Sequence, residues 1–138
     1  MKEAYVSYEV AKLLKENGFD WDCDHYYKPN GEIVRTFHTD GSRHINSSVL
    51  YENQCLAPTQ AMAMRWLREE NGIHISADIY KDSSNDADGN VVDEWTYWAW
   101  TFYWLPSGNV GDEEGYDQFD SYEDAVEAGL EFVLKNLI

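Results

Sequence analysis

Five side chains able to ligate a metal fall between positions 23 and 55: Cys23, His25, His38, His44 and Cys55. A Cys-x-His pair could give zinc two ligands, because thiolate sulfur and imidazole nitrogen are the donors that ion prefers. Structural zinc sites usually pair their ligands as Cys-x-x-Cys or His-x-x-x-His, and neither spacing occurs here. The expectation is no metal, with both cysteines reduced and buried. Ser84-Asn-Asp86-Ala-Asp88-Gly89 alternates oxygen-bearing side chains before a glycine, as a calcium loop does. Its register puts Ser84 first and Trp95 twelfth, where Asp and a bidentate Glu belong, so it reads as a hairpin turn. There is no nucleophile elbow, phosphate loop, dinucleotide glycine fingerprint or His-Glu-x-x-His. His74 could serve as a base beside aromatic rings, but a lone His is more often a hydrogen-bonded neighbour. No catalytic residue and no cofactor is assigned, and the chain reads as non-enzymatic.

The densest chemistry is aromatic. Trp95-Thr-Tyr-Trp-Ala-Trp-Thr-Phe-Tyr-Trp104 holds seven aromatic residues in ten and neither Pro nor Gly, which predicts a β-strand. Alternation sends Trp98, Trp100, Phe102 and Trp104 to one face, and Trp95, Tyr97, Ala99, Thr101 and Tyr103 to the other. One face can pack on helices. The second needs a cover, and Trp95, Tyr97 and Tyr103 are its candidate binding residues, for a protein partner with a second copy of the chain as one candidate. Stacking on a neutral glycan, or an enzyme or small-ligand pocket between this strand and residues 39–57, is the alternative reading.

Charge is the other signal. The chain has 26 acidic and 10 basic residues, a net charge of −16. From Asp82 onward Lys135 is the single base against fourteen acids. Such a field repels bare phosphates, so direct nucleic-acid binding is not expected. Solvation is the usual meaning of surplus acid. The sharper one is a surface, with Asp112, Glu113, Glu114 and Asp117 at its centre, that imitates nucleic acid and blocks a basic protein. The opening Met-Lys-Glu-Ala-Tyr-Val-Ser is not a signal sequence and no window is apolar enough to span a membrane, so a cytoplasmic protein without membrane contact is expected.

The elements that would position these residues can be read in chain order. Ser7, Pro58-Thr59 and Ser121 each open a helical stripe, and Asn17-Gly18 and Asn71-Gly72 end the first two. His25–Lys28 and Ile33–His38 flank the turn Pro29-Asn-Gly-Glu32 as a β-hairpin. Residues 39–57 read as a long loop that can hold a short strand, and 106–120 as a solvated linker. Ile73, Ile75, Ala77 and Ile79 alternate with polar residues in a strand that pairs with the aromatic one across a polar connection from Lys81 to Val92. The whole of 1–138 is expected to be a single α+β domain, an antiparallel sheet of about four strands with three helices in the order α-β-β-α-β-β-α. The two Asn-Gly stops, 54 positions apart, admit an internal duplication of an α-β-β unit.

Tyr8-Glu-Val-Ala-Lys-Leu-Leu-Lys-Glu-Asn-Gly-Phe-Asp20, Ala57-Pro-Thr-Gln-Ala-Met-Ala-Met-Arg-Trp-Leu-Arg-Glu-Glu-Asn-Gly-Ile-His-Ile75 and Tyr122-Glu-Asp-Ala-Val-Glu-Ala-Gly-Leu130 carry a resemblance. Together they resemble a group of short uncharacterised proteins from phages and mobile elements of gut bacteria. The resemblance implies a cytoplasmic accessory protein of phage or prophage origin. It brings no activity and no binding residues.

Overall fold

The structure, a computed structural model, describes residues 4–36, 50–105 and 117–138 in full and the backbone of 109–111. His38, His44, Asp112, Glu113 and Glu114 lie outside the described residues.

Helices form where an apolar stripe meets a cap. Helix α1 (Tyr8–Glu16) starts at Ser7, whose hydroxyl accepts the Val10 amide at 3.2 Å, and it buries Val10, Ala11 and Leu14. Such a cap satisfies an amide that a helix start otherwise leaves without a partner, a gain of about 1 kcal/mol. Helix α2 (Gln60–Asn71) is capped by Thr59, buries Ala63, Trp66 and Leu67, and stops at Gly72, whose φ of 67° is left-handed and favours glycine. Helix α3 (Tyr122–Asn136) is capped by Ser121 and buries Val126, Leu130, Val133 and Leu134.

Strands β1 (His25–Tyr27), β2 (Ile33–Arg35) and β3 (Cys55–Leu56) make one antiparallel sheet in the order β2-β1-β3. Strands β4 (Ile73–Asn85), β5 (Val91–Trp104) and β6 (Asn109–Gly111) make a second in the order β4-β5-β6. The chain is thus α+β, with three helices and antiparallel pairing among the described residues, but where a single sheet was expected these residues form two. The reason lies in the edges: β1 has β2 on one side and β3 on the other, so no edge of it is left to join β5. The element order also gains β3, from the expected loop, and β6, from the expected linker. The two units differ in strand order, since the central strand is the first of its unit in one sheet and the second in the other.

Helix α3 is the keystone of the packing, lying across β4 and β5 and touching α1 and α2. Gly129 allows the approach: a Cβ there would sit 3.2 Å from Ile75 Cγ2 and from two ring atoms of Trp100. Two positions earlier, about half a turn around the helix, Glu127 accepts the Ser7 amide at 2.7 Å with Oε1 and the Gln60 side-chain amide at 3.1 Å with Oε2. A single carboxylate therefore joins the starts of α1 and α2, where helix dipoles favour negative charge. The first sheet is tied in by Tyr27, whose hydroxyl donates to the Val6 carbonyl at 2.6 Å. No described helix is long and apolar enough to cross a membrane.

Candidate protein-interaction surface

The β4–β5 hairpin pairs in one register from Ile73 opposite Trp104 to Ser84 opposite Asp93. Alternation places Ile73, Ile75 and Ala77 on the face of Phe102, Trp100 and Trp98, under α3. The Phe132 ring of α3 lies 5.2 Å from that of Trp100, and Tyr122 stands edge-on to Trp98 at 5.7 Å. Tyr122 is the first residue of α3, so the hairpin beyond Trp98 extends past the helix. Ile79, expected to complete the buried face, is 57% exposed for that reason. Farther out, Val91 and Val92 are also exposed.

The connection between the strands is shorter than the sequence suggests. Pairing continues through polar residues to Asn85, with a register shift after Ser84, and the turn occupies residues 86–90. Ladder hydrogen bonds are made by the backbone, so polar side chains extend a hairpin wherever water is on both sides. Lys81 and Glu94 pair across it at 3.1 Å. At the tip the Asp86 carboxylate accepts the Asp88 and Asn90 amides, each at 2.9 Å. Those amides, Asn90 first, hold its carboxyl below the usual range. The oxygen-rich spacing of this stretch thus has a turn-forming use.

The face turned away from α3 carries His74, Ser76, Asp78, Tyr80 and Asp82 on β4, opposite Tyr103, Thr101, Ala99, Tyr97 and Trp95 on β5. Tyr80 and Tyr97 stack with ring centroids 5.7 Å apart. Tyr80 is 42% and Trp95 37% exposed, while Tyr97 is half-buried. The Trp95 indole donates to Gln118 Oε1 at 3.0 Å, and Phe119 exchanges backbone hydrogen bonds with Trp98 at 2.8 and 2.9 Å. The acidic segment's exposed Asp117 is therefore carried alongside the aromatic strand. Tyr103 is set apart. It lies six positions from Tyr97, about 20 Å along a strand, and its ring faces His74 at 6.1 Å. The structure thus gathers Trp95 and Tyr97 with Tyr80, which sequence reasoning missed. The signal for Tyr80 was the alternation that puts it on the same face once β4 and β5 are paired.

His74 has a buried Nδ1 with no hydrogen-bond partner among the described residues. Burial first, and the nearby Arg68 cation second, lower its pKa, so the ring stays neutral to lower pH than a free imidazole. Cys23 is buried, its thiol 3.4 Å from the Trp21 carbonyl and 3.9 Å from Met62 Sδ, and burial pushes its pKa up to about 12. Cys55 sits on β3 and its thiol is raised by burial as well. His25 pairs through Nδ1 with Asp24 at 2.7 Å. Cys23 and His25 are thus engaged by their neighbours, and Cys55 is buried.

A cleft of about 90 Å³ lies between α1 and the 50–56 stretch, lined by Ala11, Lys15, Phe19, Leu50, Tyr51 and Leu56 among others. It is bordered by α1 and the first sheet, and the aromatic strand does not contribute to it. In addition to this cleft and the projecting half of the hairpin, two larger, open grooves are present among the described residues, one lined by Tyr8, Lys12, Glu16, Pro29 and Cys55 among others and one by Phe119, Glu131, Phe132 and Lys135 among others. No family model, curated protein or solved structure matches the chain, so its function is argued from this geometry.

Proposed function

We propose that the chain is a non-enzymatic protein-interaction module that presents the projecting half of the β4–β5 hairpin to a protein partner. One observation carries the reading: a two-stranded arm extends beyond α3 with Ile79, Tyr80, Val91, Val92 and Trp95 all exposed on it. Large rigid aromatics give contact area at low entropic cost, and they are the side chains enriched where proteins meet. An accessory role of phage or prophage type in the cytoplasm, as the sequence resemblance implies, is the setting proposed for it.

The test is capture from a bacterial lysate by the wild-type chain and by a Tyr80→Ala, Tyr97→Ala double variant. Both substitutions lie on the solvated arm, and loss of a cross-strand pair costs about 0.2–1 kcal/mol, so the variant remains folded. Proteins retained by the wild type and lost by the variant are the expected result. The same set retained by both would refute the role of this face. Sedimentation of the purified chain at low and high salt distinguishes a homodimer, which tightens with salt because like charges are screened.

A second reading has its own support. Asp117 is exposed and held beside the strand by its neighbours Gln118 and Phe119, as an acidic mimic of nucleic acid would need. Neutralising Asp112, Glu113, Glu114 and Asp117 should then release a basic partner, and unchanged capture removes this segment from consideration. The glycan-binding or enzymatic alternative draws no support from the cleft at α1, whose lining is mostly apolar and distant in sequence from Trp95 and Tyr97.

A further inference from the structure

We propose that the outer edge of β4 receives an extended cationic segment of another protein as an added strand, read by two Arg or Lys side chains four residues apart. This rests on the interaction role above and gives the partner a chemistry. From Asp78 to Glu94 the arm carries six acids and one base, Lys81. Nucleic acid and an anionic lipid surface are repelled by that field, and so is a second copy of the same arm. A basic partner is the one it attracts.

The edge supplies direction. Among the described residues no strand pairs with β4 on the side away from β5, so its outward amides and carbonyls are open to strand addition up to Ser83, whose amide donates to Asp82 Oδ1 at 2.8 Å. Asp78, Tyr80 and Asp82 alternate onto one face, about 6.7 Å from one to the next. A strand added about 4.8 Å away sets its own side chains directly beside them. Cations four positions apart then meet Asp78 and Asp82. The residue between them lies against Tyr80, whose ring is backed by Tyr97, a surface suited to an aromatic side chain or a third cation.

Charges on an edge strand often serve to prevent pairing. That purpose does not account for Ile79 and Tyr80, large apolar side chains exposed on opposite faces of the same strand. The carboxylates also exclude only acidic strands. Protection from self-pairing and selection of a basic segment are one property of this edge.

Two peptides of about ten residues test the proposal, with identical composition and two Arg in a Thr and Val background. In one the Arg residues are four apart and share a face; in the other they are three apart and point oppositely. Titrated into the full chain and followed by amide NMR, the first is expected to bind about tenfold tighter and to weaken as salt rises from about 50 to about 300 mM. It should also slow hydrogen exchange at β4 amides. Asp78→Asn with Asp82→Asn should erase the difference between peptides, and Glu16→Gln with Glu70→Gln, the same change of charge elsewhere on the surface, should leave it. Equal affinity for both peptides, or binding without protection of β4, overturns strand addition in favour of undirected attraction. Self-association that protects β4 while neither peptide binds overturns it in favour of a second copy. If these outcomes occur while the Tyr80→Ala, Tyr97→Ala variant still loses its captured partner, the interaction role stands and the cationic strand falls.

Discussion

Replacing Gly129 by Ala should destabilise the protein, although alanine is the better helix former. In a helix interior Ala is favoured over Gly by about 1 kcal/mol. Against that gain stands the contact with the sheet. The new methyl would lie 3.2 Å from Ile75 Cγ2 and from Cγ and Cδ2 of Trp100, a few tenths of an ångström inside comfortable carbon contact. Neither neighbour can withdraw easily, because Ile75 is 2% exposed and Trp100 is wedged between the rings of Phe102 and Phe132. Overpacking of a filled core costs about 1–3 kcal/mol, so the net loss expected for Gly129→Ala is about 1 kcal/mol. With a urea slope of about 1–3 kcal/mol/M, the midpoint should fall by roughly 0.5 M. Equilibrium urea unfolding followed by tryptophan fluorescence measures it. A midpoint at or above that of wild type, with unchanged slope, would refute the claim that this glycine exists for helix–sheet contact.

Glu127→Gln should cost about 1–2 kcal/mol in the same assay, since it weakens charge-assisted bonds to the Ser7 amide and the Gln60 side chain; an unchanged midpoint would show that the carboxylate does not join the two helix starts. Cys23 and Cys55 should react slowly with a thiol reagent at about pH 8 and fully after denaturation, because burial raises both thiols and Cys23 is pushed up to about 12; fast reaction in the native state, or stoichiometric zinc by elemental analysis, would contradict this. His74 has a lowered pKa in the folded state, so below its ordinary value of 6.5 the unfolded chain binds a proton that the folded chain refuses. Wild-type stability should therefore drop relative to His74→Gln as pH falls from about 7 toward 5, and parallel pH profiles for the two proteins would rule out that coupling.

The helices were legible in the sequence because their starts are encoded by three caps, Ser7, Thr59 and Ser121, and their faces by apolar stripes of helical period. The aromatic strand and its partner were legible too, since alternation is a local pattern. Sheet membership was not. Whether β1 lies next to β5 or between β2 and β3 depends on Cys55 and Leu56, a two-residue strand too short to leave a period. The length of the hairpin was hidden for a related reason: Lys81 to Asn85 lacks apolar residues, and backbone pairing in water requires none. Of the candidate site, Trp95 and Tyr97 were readable from composition. Tyr80 needed the register, and the separation of Tyr103 from them needed the count of positions along the strand.

The bond between the Ser7 amide and Glu127 joins positions 120 apart, and it bears on how the protein is made. A ribosome adding about 5–20 residues per second takes roughly ten seconds to travel from one to the other. During that interval the first helix has been made and the long hairpin follows it, but the helix that covers Ile75, Trp100 and Phe102 is still to be translated. The nascent chain then displays a bare aromatic sheet with an unpaired edge, the combination that most invites aggregation. The core under α3 can therefore close only after Tyr122–Asn136 has been made, and a chain truncated before Tyr122 should expose Ile75, Trp100 and Phe102.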